Sequence, residues 1–134
     1  MIELPDLPSD KTAAGFDIRR LKMDDFVFQE GDPADEAFII ESGLVEILAK
    51  GESGEFVRLN SLGKGELFGE LALLDGMPRS ATVRVVEDVQ LIVVPRRKFD
   101  AQIMQLSPLL RKVMTIVGQR VRRLSCEISR YERL

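Results

Sequence analysis

The chain has 134 residues, 45% of them hydrophobic and 31% charged, with a formal net charge of −3, which fits one globular domain. No apolar run approaches the roughly 20 residues needed to span a bilayer, and the single cysteine, Cys126, excludes an intrachain disulfide and suits a reducing cytoplasm. Histidine is absent, which removes His-based catalytic triads and His-ligated metal sites and counts against most enzyme classes; no metal site is expected.

Residues 1–15 are short, acidic and punctuated by prolines, and are not expected to be a signal peptide. Phe26-Val27-Phe28 predicts a strand that runs into a Gly31-Asp32-Pro33 turn. Ala37–Glu41 and Leu44–Ala49 predict two strands that flank Ser42-Gly43, a hairpin signal. Lys50–Glu55 is a polar loop, and Phe56-Val57-Arg58-Leu59 alternates before Gly63 and Gly65. Glu70–Asp75 reads as one or two helical turns, closed by an Asp75-Gly76-Met77-Pro78 turn. Ala81–Val86 and Val89–Pro95 are β-branched runs separated by Glu87-Asp88. Many short strands with turns between them predict a small barrel or jelly roll.

The character changes at Pro95. Arg96–Leu106 has helical spacing, with Phe99, Ile103 and Leu106 on one side. Ser107 reads as an N-cap with Pro108 at the first helical position, and no strand signal interrupts the chain from there to Leu134. Gly118 is the weak spot of that helix, where glycine costs about 1 kcal/mol against alanine. The expected organisation is a short segment over 1–15, a β domain over 16–95 and C-terminal helices over 96–134.

Charge divides along the same line. Residues 1–94 hold 9 basic and 19 acidic residues, and residues 95–134 hold 10 basic and 3 acidic. The basic tail lacks aromatic interleaving, so a solvated helix face is preferred to a nucleic-acid surface. Leu110, Met114, Val117, Val121, Leu124, Ile128 and Tyr131 are spaced 4, 3, 4, 3, 4, 3, an a/d stripe that predicts a homodimer seam. The other use of such a stripe is an amphipathic helix lying on its own barrel. Arg122-Arg123-Leu124-Ser125 matches a basophilic kinase site, but Ser125 falls inside the helix and the match is discounted.

The densest chemistry lies in Phe68–Val83, FGELALLDGMPRSATV. A carboxylate, Glu70, and a guanidinium, Arg79, stand on either side of a short apolar helix. Alone they would be a surface ion pair worth little. Small residues beside both favour a ligand that has hydroxyls for the acid and an anion for the base. A cyclic nucleotide has both, in its ribose hydroxyl and its cyclic phosphate. A phosphate at the start of the helix would meet free N–H groups and the positive end of the dipole. Gly69 permits close backbone approach, Arg79 offers a planar fork of donors, and Ala81 is small enough to let its own N–H come near.

This stretch closely resembles the phosphate-binding cassette of cyclic-nucleotide-binding domains, whose pattern runs roughly F-G-E-[LI]-A-L, a spacer, then P-R-x-A-[TS]. Upstream, Gly31-Asp32-Pro33-Ala34-Asp35-Glu36-Ala37-Phe38-Ile39-Ile40-Glu41-Ser42-Gly43 resembles a second stretch of the same family, and the order of parts agrees over residues 16–134. The resemblance implies a β-roll, mainly β with C-terminal helices, and a cassette over 68–83 formed by Phe68, Gly69, Glu70, Leu71, Ala72, Arg79, Ser80, Ala81 and Thr82. Glu70 would accept from the ribose 2′-hydroxyl and Arg79 would neutralise the phosphate. The purine would lie over Val57, Leu59 and Leu62, with Leu71 from the cassette and with Arg120, Arg123 and Tyr131 available to stack on it. Ser80 leaves both cAMP and cGMP open, with cAMP preferred. One departure is the short N-terminal segment, where family members carry a longer amphipathic helix.

The expected function is therefore a non-catalytic, cytoplasmic cyclic-nucleotide sensor whose C-terminal helix responds to ligand, with no membrane or nucleic-acid partner within the chain. Three rivals remain: a dimeric interaction scaffold that does not bind nucleotide, the sensor fragment of a transcription regulator, and a small jelly-roll enzyme, the last disfavoured by the missing histidine.

Overall fold

The computed structural model describes the backbone of residues 15–131 and side chains as far as Leu124. The short segment expected over 1–15 lies almost wholly outside the described residues, as do residues 132–134. Six strands form one antiparallel sheet: β1 (Asp17–Leu21), β2 (Phe26–Phe28), β3 (Glu36–Lys50), β4 (Phe56–Leu62), β5 (Leu67–Phe68) and β6 (Thr82–Pro95). Among the described residues there are also three helices: α1 (Leu71–Asp75), α2 (Arg96–Ile103) and α3 (Pro108–Tyr131). The molecule is mainly β with C-terminal helices.

The two long strands β3 and β6 are the spine. They pair from Glu36↔Pro95 to Leu48↔Thr82. The outer half of β6 carries β1 (Leu21↔Val89 through Asp17↔Val93), and its inner half carries β2. Likewise β3 carries β5 on its first half (Phe38↔Phe68) and β4 on its second (Val45↔Leu62 through Lys50↔Phe56). One face of this folded ladder is apolar. Phe38, Ile40, Val45, Val83, Val85, Val89 and Leu91 form its buried core, with Phe68 and Val93.

The sequence predicts two breaks that the structure does not contain. Ala37–Glu41 and Leu44–Ala49 are halves of one 15-residue strand, and Ala81–Val86 and Val89–Pro95 merge into one 14-residue strand. Ser42-Gly43 is a bend, not a hairpin, because the β3–β6 register shifts there by bulges instead of reversing direction. Gly43 has φ +96, and a side chain on it would drive its Cβ into the Asp88 carbonyl oxygen and to 2.8 Å from Val89 Cα. The bend therefore requires glycine twice, for its dihedral and for the closeness of β6.

The helices follow their sequence signals more closely. Ser107 caps α3, its Oγ accepting from the Leu110 N–H at 3.2 Å. α2 is shorter than the Arg96–Leu106 spacing suggests, because its last turn tightens into Gln105 N–H to Gln102 O and Leu106 N–H to Ile103 O bonds.

Gly43→Ala is expected to lower unfolding free energy by about 2–4 kcal/mol, from backbone strain plus a clash with unyielding backbone. Urea denaturation measures it, and a loss below about 0.5 kcal/mol would remove the two requirements placed on Gly43.

Candidate functional site

The segment between β5 and β6 is built from special backbone positions. Gly69 leaves β5 at φ +80 and Gly76 closes α1 at φ +68, its N–H bonding the Ala72 carbonyl at 3.0 Å. Between them Glu70 stands at the N-cap of α1. Asp75 Oδ1 accepts from the Met77 N–H at 2.9 Å, which shapes the following turn. Two backbone bonds then fasten the arginine to the turn before β3: the Arg79 N–H donates to Asp32 O and the Gly31 N–H donates to Arg79 O, both at 2.9 Å.

The Arg79 residue is only 5% exposed. Its guanidinium donates through Nη1 to Gly69 O at 2.8 Å and through Nη2 to Glu36 O at 2.7 Å. It lies 4.0 Å from the centroid of the Phe28 ring, while its Nε is buried without a partner. The ion pairs of the described residues join Arg19 to Glu36, Arg84 to Glu46, Arg96 to Asp35 and Arg122 to Asp75, and none includes Arg79. The surface ion pair that Glu70 and Arg79 might be taken for is not formed. Burial pushes the Arg79 pKa down, against the raising influence of Glu36 and Asp32, and an arginine keeps its charge through any such shift. A Cβ at Gly69 would sit 2.9 Å from Arg79 Nη1, so glycine there admits the guanidinium.

Glu70 is pushed up from the ordinary glutamate value by desolvation, which outweighs the lowering effects of its own backbone N–H and of Arg79. Both groups border a cavity of about 580 Å³ enclosed by the cassette, β4 and α3. Phe68, Gly69, Glu70, Leu71, Ala72, Arg79, Ser80 and Ala81 all line it, and so does Leu62. Thr82 does not; it is buried, and its Oγ1 accepts from the Glu30 N–H at 2.9 Å.

Of the expected base wall, Val57 and Leu59 are not brought to the cavity. Ile47 pairs with Asn60 while Leu48 pairs with Arg58, so Leu59 is the extra residue of a bulge. Asn60 and Leu62, two apart on one face of β4, line the cavity with Ile47. Arg120 and Arg123 are exposed and do not border it, and the side chain of Tyr131 lies outside the described residues.

Helix α3 closes the cavity with Val113, Met114, Val117, Gly118 and Val121. Its contact with α1 rests on two features that sequence reading assigns otherwise. Gly118 is buried, and a Cβ there would meet Leu71 Cδ1 at 2.9 Å, so the glycine marks a close helix approach. Arg122, read in sequence only as part of a kinase-like motif, grips the cassette: Nε and Nη2 donate to Asp75 Oδ2 and Oδ1 at 2.8 and 3.1 Å, and Nη1 donates to Pro78 O at 3.0 Å. The signal available was the position of Arg122 one turn beyond Gly118, on the same helix face. Along the predicted seam, Leu110, Val117, Val121 and Leu124 are about half exposed, Met114 is half-buried, and the side chains of Ile128 and Tyr131 lie outside the described residues.

The family model for the cyclic nucleotide-binding domain matches residues 18–106. The cyclic AMP receptor protein of Thermus thermophilus is 32% identical over 76% of this chain and 47% of its own length. The cAMP-dependent protein kinase regulatory subunit of Emericella nidulans is 31% identical over 76% of this chain and 24% of its own length. The EAL enzyme Bd1971 in its cAMP-bound form superposes with a TM-score of 0.79 at 34% identity, over 84% of this chain and 30% of that one. Its cGMP-bound form gives 0.75 at 36% identity, over 79% of this chain and 28% of that one. The chain thus spans less than half the length of these relatives. No helix among the described residues is long and apolar enough to cross a membrane.

Two outcomes test the site's electrostatics. Arg122→Met leaves a carboxylate whose side chain is 4% exposed without its partner, and is expected to cost about 2–4 kcal/mol in urea denaturation; a cost below about 0.5 kcal/mol would make the contact a surface pair. Glu70→Gln is expected to raise stability at pH 7. A carboxyl raised above its ordinary 4.5 favours folding only while protonated, so wild type loses stability relative to the variant as pH rises past 4.5 through the folded value. Urea midpoints of the two proteins should converge below pH 4.5 and separate above it; a constant difference would remove the desolvation argument.

Proposed function

Because the chain belongs to the cyclic nucleotide-binding domain family, we propose that it is a non-catalytic regulatory domain that binds a cyclic nucleotide in the cassette cavity, with cAMP preferred to cGMP. The observation that carries this reading is a buried guanidinium with no carboxylate partner, opening on a cavity whose other polar wall is a desolvated carboxylate. Arg79 receives the cyclic phosphate, with backbone N–H groups near Gly69, Ser80 and Ala81 completing the anion site. Glu70 accepts from the ribose 2′-hydroxyl. The purine lies on Leu62, Ile47 and Leu71, with Asn60 and Ser80 supplying the uncharged polar side chains at the cavity.

The cavity volume of about 580 Å³ lies inside the usual range for small-ligand sites, about 300–1,000 Å³. The absence of histidine from the sequence supports a binding role over catalysis, and the single cysteine suits a cytoplasmic setting. Similarity to Bd1971 in both its cAMP-bound and cGMP-bound forms makes nucleotide choice a matter for measurement.

The response element is α3. Ligand in the cavity would touch the cassette and the α3 wall together, and it moves the helix only as far as it binds one helix position better than the other. The half-exposed Leu110, Val117, Val121 and Leu124 support a homodimer seam along the same helix, with Met114, Ile128 and Tyr131 continuing the repeat. Sedimentation at micromolar concentration should show a dimer.

The decisive test is calorimetry with cAMP and cGMP on refolded protein stripped of carried-over ligand. Wild type should bind one nucleotide with micromolar or tighter affinity. Arg79→Ala should weaken binding by about 3 kcal/mol, roughly 100-fold. No heat and no thermal shift with either nucleotide would leave the dimeric scaffold as the reading of this fold.

A further inference from the structure

The geometry points to Phe28 as a positioning residue for the ligand's phosphate: its ring takes the place of a carboxylate under the Arg79 guanidinium and so keeps that charge free for an incoming anion. The inference rests on the proposed cyclic-nucleotide reading and extends it to a residue outside the cassette.

A guanidinium this deeply buried is costly unless something compensates it. Two backbone carbonyls, Gly69 O and Glu36 O, take two of its donors. They supply dipoles, not a countercharge. Glu36 and Asp32 act on this charge without forming an ion pair with it: the Glu36 carboxylate pairs with Arg19 at 2.7 Å, and Asp32 Oδ2 accepts from the Gln29 N–H at 2.9 Å. What lies against the face of the guanidinium is the Phe28 ring, 4.0 Å from Cζ to the centroid, whereas the Phe38 ring is 5.8 Å away. An aromatic face attracts a cation through its quadrupole, and the attraction is largest where water is excluded.

The ring is itself fixed. Phe28 packs on Phe38 and Phe68 with centroids 6.1 and 6.0 Å away, and strand β2 holds it through the Phe28↔Val83 pairing. Arg79 is also the wall between two cavities, the cassette cavity and one of about 350 Å³ on the side of Asp32, Asp35 and Glu36. Phe28 borders both. Without the ring beneath it, the guanidinium has room to tip toward those acids, where its charge would be neutralised before any phosphate arrived. A carboxylate in place of the ring would stabilise the arginine better but would have to be displaced by ligand. The aromatic partner stabilises the cation without that competition.

The test is calorimetry with cAMP on four proteins, wild type, Phe28→Leu, Phe28→Met and Phe28→Tyr, with urea midpoints recorded for each. The aliphatic variants are expected to bind at least about tenfold more weakly, and Phe28→Tyr to stay within about threefold of wild type. If wild type binds cAMP and Phe28→Leu binds within twofold of it, the inference fails while the functional reading stands. Equal losses in the tyrosine and leucine variants also overturn it, since packing alone would then account for both. A wild type that binds neither cAMP nor cGMP overturns the functional reading and this inference with it.

Discussion

The site depends on a buried positive charge that forms no ion pair among the described residues. Burying an arginine to 5% residue exposure asks for compensation, and the usual solution is a carboxylate with full hydrogen bonding. Here the compensation comes from two carbonyl dipoles and an aromatic face. The choice stabilises the folded state less than an ion pair would, because the buried Nε stays unsatisfied. It also leaves the charge unspent. Glu70 on the other side of the cavity shows the same logic with the opposite sign, a carboxylate held where burial disfavours its charged form. In both groups burial works against the charged form, the pattern expected at functional sites.

The rest of the fold holds this arrangement still. The Arg79 guanidinium contacts three separate parts of the chain: the β5–α1 junction at Gly69, the start of β3 at Glu36, and β2 at Phe28. Those parts keep their mutual positions because β3 and β6 run unbroken through the domain and every other strand is paired to one of them. The bend at Gly43 lets one pair of strands serve both halves of the roll. A hairpin there would have ended β3 and separated the Glu36 end, which meets Arg79, from the Ile47 end, which lines the cavity. The continuous bent strand joins the anion end and the apolar end of the cavity.

Much of this was legible in the sequence, and the misses share a cause. The cassette, the α1 turn, the Ser107 cap and the strand-rich character with terminal helices are local signals carried by residue type and spacing. The errors arose where one local pattern serves two structures. Ser42-Gly43 spells a turn, but a glycine at positive φ also makes a bulge, and only the partner strand decides between them. Alternation in β4 pointed to Val57 and Leu59 because the bulge at Leu59, which shifts the phase, is set by pairing with Ile47 and Leu48. Gly118 read as a helix defect because its reason for being small is Leu71, 47 positions away in sequence. Neither the kinase-like motif at Arg122 nor the strand signal at Phe28 carries the role seen in the structure; each is defined by what the fold lays against it.

In the proposed reading the two uses of α3, as cavity wall and as dimer seam, draw on the same side chains, and that overlap is what would let the helix respond. Val117 and Val121 line the cavity and are also about half exposed along the predicted seam, while Met114 lines the cavity from a half-buried position. A residue at the edge of a cavity changes its burial when the cavity fills, and a seam built from such residues changes with it. The Arg122–Asp75 grip fixes the pivot: it ties the helix to the far end of the cassette, next to Pro78, one residue before Arg79. Any ligand that pulls on Arg79 therefore acts one residue away from the point where the helix is held. Under the proposed reading, coupling between Arg79 and the helix would need no long path through the core; a two-state docking of α3 on α1, biased at Arg79 and read out along Val117 and Val121, would suffice.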